Sequence, residues 1–142
     1  METLFELRRN EFTISTNRAR LDLGILHPLL RATHWAREMS REVLERAIAN
    51  SLCFGLYDGD HLIGFARLIT DYCTYAYLTD VVVAAEYRGR GLGKWLTEAI
   101  VVHPEMKGLR RITLLTRDAM DLYRQYGFTT DTGSLVYMER RG

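Results

Sequence analysis

The sequence predicts an α/β fold with one mixed sheet, and three observations carry that reading. The β-branched run Val81-Val82-Val83 suits a strand buried on both faces. Directly after it, Gly89, Gly91 and Gly93 mark a turn, and Leu92, Trp95, Leu96, Ala99 and Ile100 recur at the three- and four-residue spacing of a helix. Upstream, two apolar runs flank Asp58-Gly59-Asp60, the signal of a β-hairpin. A hairpin followed by a strand–helix–strand crossover requires antiparallel and parallel pairing in one sheet.

The elements follow in order. Glu11 to Thr16 is a first strand, with Phe12 and Ile14 alternating with polar neighbours. Asp22 caps a helix whose apolar face is Leu23, Leu26, Leu29 and Leu30, and Pro28 is expected to bend or shorten it. A break from Arg31 to Met39 precedes a second helix, capped by Ser40, with Val43, Leu44, Ala47 and Ile48 on its apolar face. Ser51 to Asp58 and His61 to Thr70 are the hairpin strands, Asp71-Tyr72 is a turn, and Thr74 to Val83 is the long central strand. The helix after the glycines runs to about Val102, and Arg110 to Thr116 is the next strand. Asp118 caps a further helix that Gly127 stops, and Phe128 to Thr130 and Leu135 to Met138 read as two last strands.

Composition narrows the function. A length of 142 residues suits one domain, 1–142, and a 47% hydrophobic content suits an ordinary core. A net charge of +1 does not mark a nucleic-acid binder, and no apolar stretch reaches membrane-spanning length. Charges at Glu2, Glu6, Arg8 and Arg9 interrupt any signal-peptide core. Cys53 and Cys73 fit no metal spacing and read as small buried residues, in keeping with a reducing cytoplasm.

The glycine turn itself points to an anion. The first amides of a helix have no partner within it, and the helix dipole favours negative charge there. Without side chains in the way, a phosphate can approach closely, beside Arg88, Arg90 and Lys94. A P-loop is absent, and the dinucleotide fingerprint fails because Lys94 stands where its third glycine would be. What remains is Arg88-x-x-Gly91-x-Gly93 between a strand and a helix, which closely resembles the pyrophosphate turn of the GCN5-related N-acetyltransferase (GNAT) superfamily. A second match lies downstream: Ala119-x-x-Leu122-Tyr123-x-x-x-Gly127-Phe128 resembles that family's A-x-x-L-Y-x-x-x-G-F signature, and the element order agrees across essentially the whole chain.

The resemblance implies a mostly antiparallel sheet, splayed in the middle and flanked by about four helices, that moves acetyl from acetyl-CoA directly to an amine without a metal. It implies that Val81, Val82 and Val83 meet the pantetheine and acetyl groups, and that Arg88, Gly89, Arg90, Gly91, Leu92, Gly93 and Lys94 hold the pyrophosphate. Thr116 and Ala119 complete the CoA contacts, although many members carry asparagine where this chain has Thr116. Tyr123 matches the tyrosine that protonates the leaving thiolate, a step that suits a phenol still protonated at neutral pH. Asp80, a carboxylate in a β-branched strand, is the candidate base; a structural carboxylate or a water chain is the alternative. His34, Trp35, Asp71, Tyr72 and Tyr77 are candidates for an acceptor pocket. The leading expectation is thus a cytoplasmic acetyltransferase of small primary amines, monomeric or homodimeric. The alternatives are an acetyltransferase of protein N-termini or lysines and a non-catalytic acyl-CoA sensor.

Overall fold

The structure, a computed structural model, describes residues 4–142. Its six strands are β1 (Glu6–Arg9), β2 (Phe12–Ser15), β3 (Leu52–Asp58), β4 (His61–Thr70), β5 (Tyr75–Val83) and β6 (Arg111–Leu114), and they form one sheet in sequence order. Neighbours from β1 to β5 are antiparallel, and β5 and β6 are parallel. The helices are α1 (Leu23–Arg31), α2 (Arg41–Ala49), α3 (Leu92–Val102) and α4 (Met120–Arg124). No described helix is long and apolar enough to cross a membrane.

Alternation along the strands supplies apolar side chains to both faces, so the sheet carries two cores. Leu26 and Leu30 of α1 and Leu44 and Ile48 of α2 pack with Cys53, Phe65 and Val82 on one face. On the other, Leu92, Trp95, Leu96, Ala99 and Ile100 of α3 pack with Phe54, Leu68, Ala76 and Leu78. Asp22 and Ser40 cap α1 and α2 as expected, accepting from Gly24 N and Val43 N at 2.9 and 3.1 Å. Pro28 does not stop α1, which continues to Arg31.

The middle of β5 holds a bulge that positions the site. Thr79 pairs with Arg67 of β4 and Val82 with Phe65, so Asp80 and Val81 together oppose Ala66. Asp80 takes up the extra residue at φ 57°, a left-handed conformation that Asp tolerates better than most residues. The strand therefore changes phase. Ala76 and Leu78 enter the α3 core, whereas Val82 enters the α1–α2 core.

Several expectations are corrected. The first strand is a hairpin, β1 and β2, turned at Asn10 with φ 56°. Only Leu7 interrupts the charges of β1, so this edge strand lacks apolar alternation. Asp118 does not cap α4; the Thr116 hydroxyl closes that turn by accepting from Ala119 N at 3.0 Å. Cys53 is buried, but Cys73 is exposed. Phe128 to Thr130 and Leu135 to Met138 form no strands, and Val136 and Met138 are 81% and 88% exposed. A strand needs a ladder partner as well as propensity, and none of the described strands lies alongside them.

Candidate active site

The turn before α3 presents open amides. Gly89 and Gly91 have φ 79° and 76°, values at which a side chain would be strained. Gly91 is the N-cap of α3, and no side chain caps the helix's first amides. A Cβ built on either glycine meets no atom within 4 Å, so the space before those amides is unobstructed. Arg88 anchors the turn to the strand end, its Nε donating to Val83 O at 3.0 Å. The Arg90 guanidinium lies 5.1 Å from the Tyr87 ring centroid, and Tyr87 in turn donates to Asp58 Oδ2 at 2.6 Å. Arg90 and Lys94 are exposed beside the turn. This is a cationic cradle rimmed by backbone donors.

The sheet opens beside it. The β5–β6 ladder runs from Tyr75↔Arg111 to Leu78↔Leu114 and goes no further, while β5 continues to Val83. No described strand lies beside the β6-facing edge of Val81–Val83. The Cβ position of Gly93 lies 4.0 Å from Leu122 Cδ1, which brings α4 against the start of α3. Tyr123 packs at the margin of the α3 core with its ring edge-on to Phe128, the centroids 5.7 Å apart. Burial raises its phenol pKa.

A cavity of about 800 Å³ adjoins the open strand end. Val81, Val82, Val83, Ala84, Glu86 and Arg88 wall it on one side, and Ile25, Pro28, Leu29, Thr33, His34 and Trp35 on the other. His61 and Leu62 also border it. Of the sequence-predicted acceptor residues, His34 and Trp35 line this space. Asp71 does not: its carboxylate accepts from Cys73 N, Thr74 N, the Thr74 hydroxyl and Tyr75 N. Those bonds hold its pKa far below the carboxylate range. Tyr72, at φ 67° in that same turn, and Tyr77 also lie outside the cavity wall.

Asp80 has a different occupation from the one expected of a base. Its Oδ2 accepts from Arg67 Nε at 2.9 Å and its Oδ1 from Trp35 Nε1 at 3.1 Å, while Arg67 also donates to Ser51 Oγ at 3.0 Å. The ion pair is buried, with side chains 12% and 3% exposed. Both carboxylate oxygens of Asp80 thus already accept a hydrogen bond. Sequence reasoning missed Arg67, Glu86 and His61. Arg67 carried a signal, since a cation within the apolar run Leu62 to Ile69 is as out of character as Asp80 in its own strand. Glu86 and His61 carried none, because only the closed fold brings them to one cavity.

The chain matches the model of the Acetyltransferase (GNAT) family over residues 2–128. It belongs to the GNAT acetyltransferase family. A GNAT-family crystal structure, xcc2953 of Xanthomonas campestris pv. campestris, is 45% identical, superposes with a TM-score of 0.85 and covers 92% of this chain and 93% of that one. FG08082 of Gibberella zeae, which carries an acetyltransferase name, is 30% identical over 138 residues, spanning 81% of this chain and 77% of its own. Serotonin N-acetyltransferase 2 of Oryza sativa subsp. japonica is 29% identical over 136 residues, spanning 92% of this chain and 68% of its own. The GNAT chain is therefore an acetyltransferase with the mixed, mostly antiparallel sheet of its family. Among its described residues no group of three or more His, Cys, Asp or Glu side chains is placed to hold a metal ion.

Proposed function

We propose that the protein transfers acetyl from acetyl-CoA directly to the primary amine of a small, largely apolar molecule. One observation carries this reading: the end of β5 at Val81–Val83, unpaired by β6, borders the cavity and leads through Arg88 into the turn before the uncapped amides of α3. Leu92, Gly93 and Lys94 amides, with Arg90 and Lys94, would receive the pyrophosphate, helped by the flexibility of Gly89 and Gly91. Val81, Val82 and Val83 would take the pantetheine along their open backbone edge, and a backbone N–H there would stabilise the oxyanion. Thr116 and Ala119 border the same ligand in this reading.

The chemistry balances without a covalent enzyme intermediate. The neutral amine attacks the thioester carbonyl, the C–N bond forms, the C–S bond breaks, and Tyr123 protonates the departing thiolate and then regains a proton from water. Burial keeps that phenol protonated at neutral pH, as an acid requires. The amine's surplus proton leaves through water or Glu86, the carboxylate on the cavity wall, because Asp80 is engaged by Arg67 and Trp35. The walls favour a small acceptor: Ile25, Pro28, Leu29, Leu62 and the valines are apolar, and Glu86 is suited to one ammonium. The rice relative, whose name gives it a small amine, supports the same choice.

The test is a thermal-shift titration with acetyl-CoA, CoA, ATP and NAD, followed by thiol-release assays over an amine panel. A ligand that binds only the folded state raises the midpoint by mass action. Stabilisation by the CoA species alone, followed by thiol release with small amines, is the expected result. Stabilisation by ATP or NAD and not by acetyl-CoA would overturn the reading. Turnover of peptide amines alone would move the acceptor to a protein.

A further inference from the structure

The acceptor cavity has one large aromatic in its wall, and that side chain is tied to the sheet. Trp35 lies in the segment between α1 and α2, which has no regular structure. Most side-chain bonds there are local to α1: His27 Nε2 with Met39 O at 2.7 Å, Arg31 Nε to Arg37 O at 3.0 Å and the Thr33 hydroxyl to Leu30 O at 2.6 Å. The indole N–H reaches instead to Asp80 in the middle of β5. Behind it, Arg67 grips Asp80 and Ser51, so β4, β5 and the end of α2 all bear on one ring. Asp80 itself sits in a left-handed bulge, and a buried ion pair costs desolvation that its mutual attraction only partly returns. Together they hold a carboxylate oxygen 3.1 Å from the indole nitrogen. His34, edge-on to the ring with centroids 5.0 Å apart, also borders the cavity.

We propose that Trp35 is the residue that decides which amine fits, and that Arg67 and Asp80 are positioning residues that latch it as a fixed cavity wall. This rests on the acceptor site proposed above. Latched, the ring presents a constant apolar surface. Released, the segment from Ala32 to Met39 loses its bond to the sheet, and the cavity no longer has one shape. The latch touches neither the donor cradle nor Tyr123, so its loss falls on amine recognition and spares acetyl-CoA binding.

The test uses Trp35→Phe, which replaces the indole by a smaller ring without the N–H and leaves the Arg67–Asp80 ion pair in place, with Arg67→Met and its conservative counterpart Arg67→Lys. Subtracting the Trp35→Phe emission from that of the intact protein isolates Trp35, since the only other tryptophan is Trp95. Acrylamide quenching of that component should rise in Arg67→Met and return in Arg67→Lys. With 2-phenylethylamine as probe, KM for the amine should rise about tenfold in Trp35→Phe, which loses the bond to Asp80 and part of the wall, and in Arg67→Met, which loses the cation that holds Asp80. In both, kcat and the acetyl-CoA dissociation constant should hold, and Arg67→Lys should recover most of the loss. Unchanged quenching together with an unchanged amine KM would overturn the latch. A fall in kcat with both binding constants unchanged would give Trp35 a part in the chemistry instead. The quenching experiment needs no turnover. A latch seen by quenching in a protein that acetylates no amine would refute the transferase reading and leave the latch standing. Should Arg67→Met fail to fold, amine binding to Trp35→Phe decides the matter alone.

Discussion

Two tyrosines show how one kind of environment serves different ends. Tyr123 and Tyr57 both have pKa values raised by burial, Tyr57 from 10.0 to about 12. In the proposed mechanism the Tyr123 shift maintains a proton supply. Tyr123→Phe should lower kcat about a hundredfold while acetyl-CoA affinity changes by no more than about twofold, read by steady-state kinetics and calorimetry. Because the shift is upward, the rate should show no decline from loss of this acid until the pH is above 10. For Tyr57 the shift bears on stability. Its hydroxyl is buried with no hydrogen-bond partner among the described residues. The folded state favours the neutral phenol, so that stabilisation is complete below pH 10 and is lost as the pH rises through about 12. Tyr57→Phe should flatten this alkaline fall in the unfolding midpoint and stabilise the protein at neutral pH by about 1 kcal/mol.

At the level of elements, the glycine turn and β5 are the two that make the site. Gly91→Asp should weaken acetyl-CoA binding about a hundredfold by calorimetry, because it places a carboxylate before amides that would meet a pyrophosphate and strains a backbone held at φ 76°. Retained affinity would put the pyrophosphate elsewhere. The turn was legible because its chemistry is local: three glycines, a strand before and a helix after. The hairpin at Asp58 was legible for the same reason. The bulge in β5 was not. Alternation along Tyr75 to Val83 continues through Asp80, and only pairing with β4 reveals the extra residue. That hidden residue is why Asp80 read as a possible base: its oddity in the strand was visible, but Arg67 and Trp35, its partners, are distant in sequence.

At the scale of the molecule, two cores share one sheet, so unfolding should be a single event. Trp35 borders the α1–α2 side and Trp95 the α3 core. Fluorescence from each and the far-ultraviolet circular dichroism should change together on heating. Separate transitions would show that the two layers fold independently. From β2 to β6 the order of elements was readable from hydrophobic period with turn and cap signals, whereas β1, with Leu7 alone among charges, was not. The end of the chain was not, because Leu135 to Met138 has the composition of a strand and no neighbour to pair with. The cavity was only half readable, since the segment with His34 and Trp35 was marked by its irregularity, whereas Glu86 and His61 arrive by tertiary folding.

The opening between β5 and β6 has a consequence for traffic through the enzyme. In the reading proposed above, the donor is received at the turn before α3 and the acceptor in the cavity on the α1 side, and Val81–Val83 and Arg88 border both. Each substrate then has its own doorway, and neither product must wait for the other to depart. Initial-rate lines should intersect rather than run parallel. Free CoA should compete with acetyl-CoA while only lowering the maximal rate seen when the amine is varied, and a ligand plugging one doorway would leave the other passable.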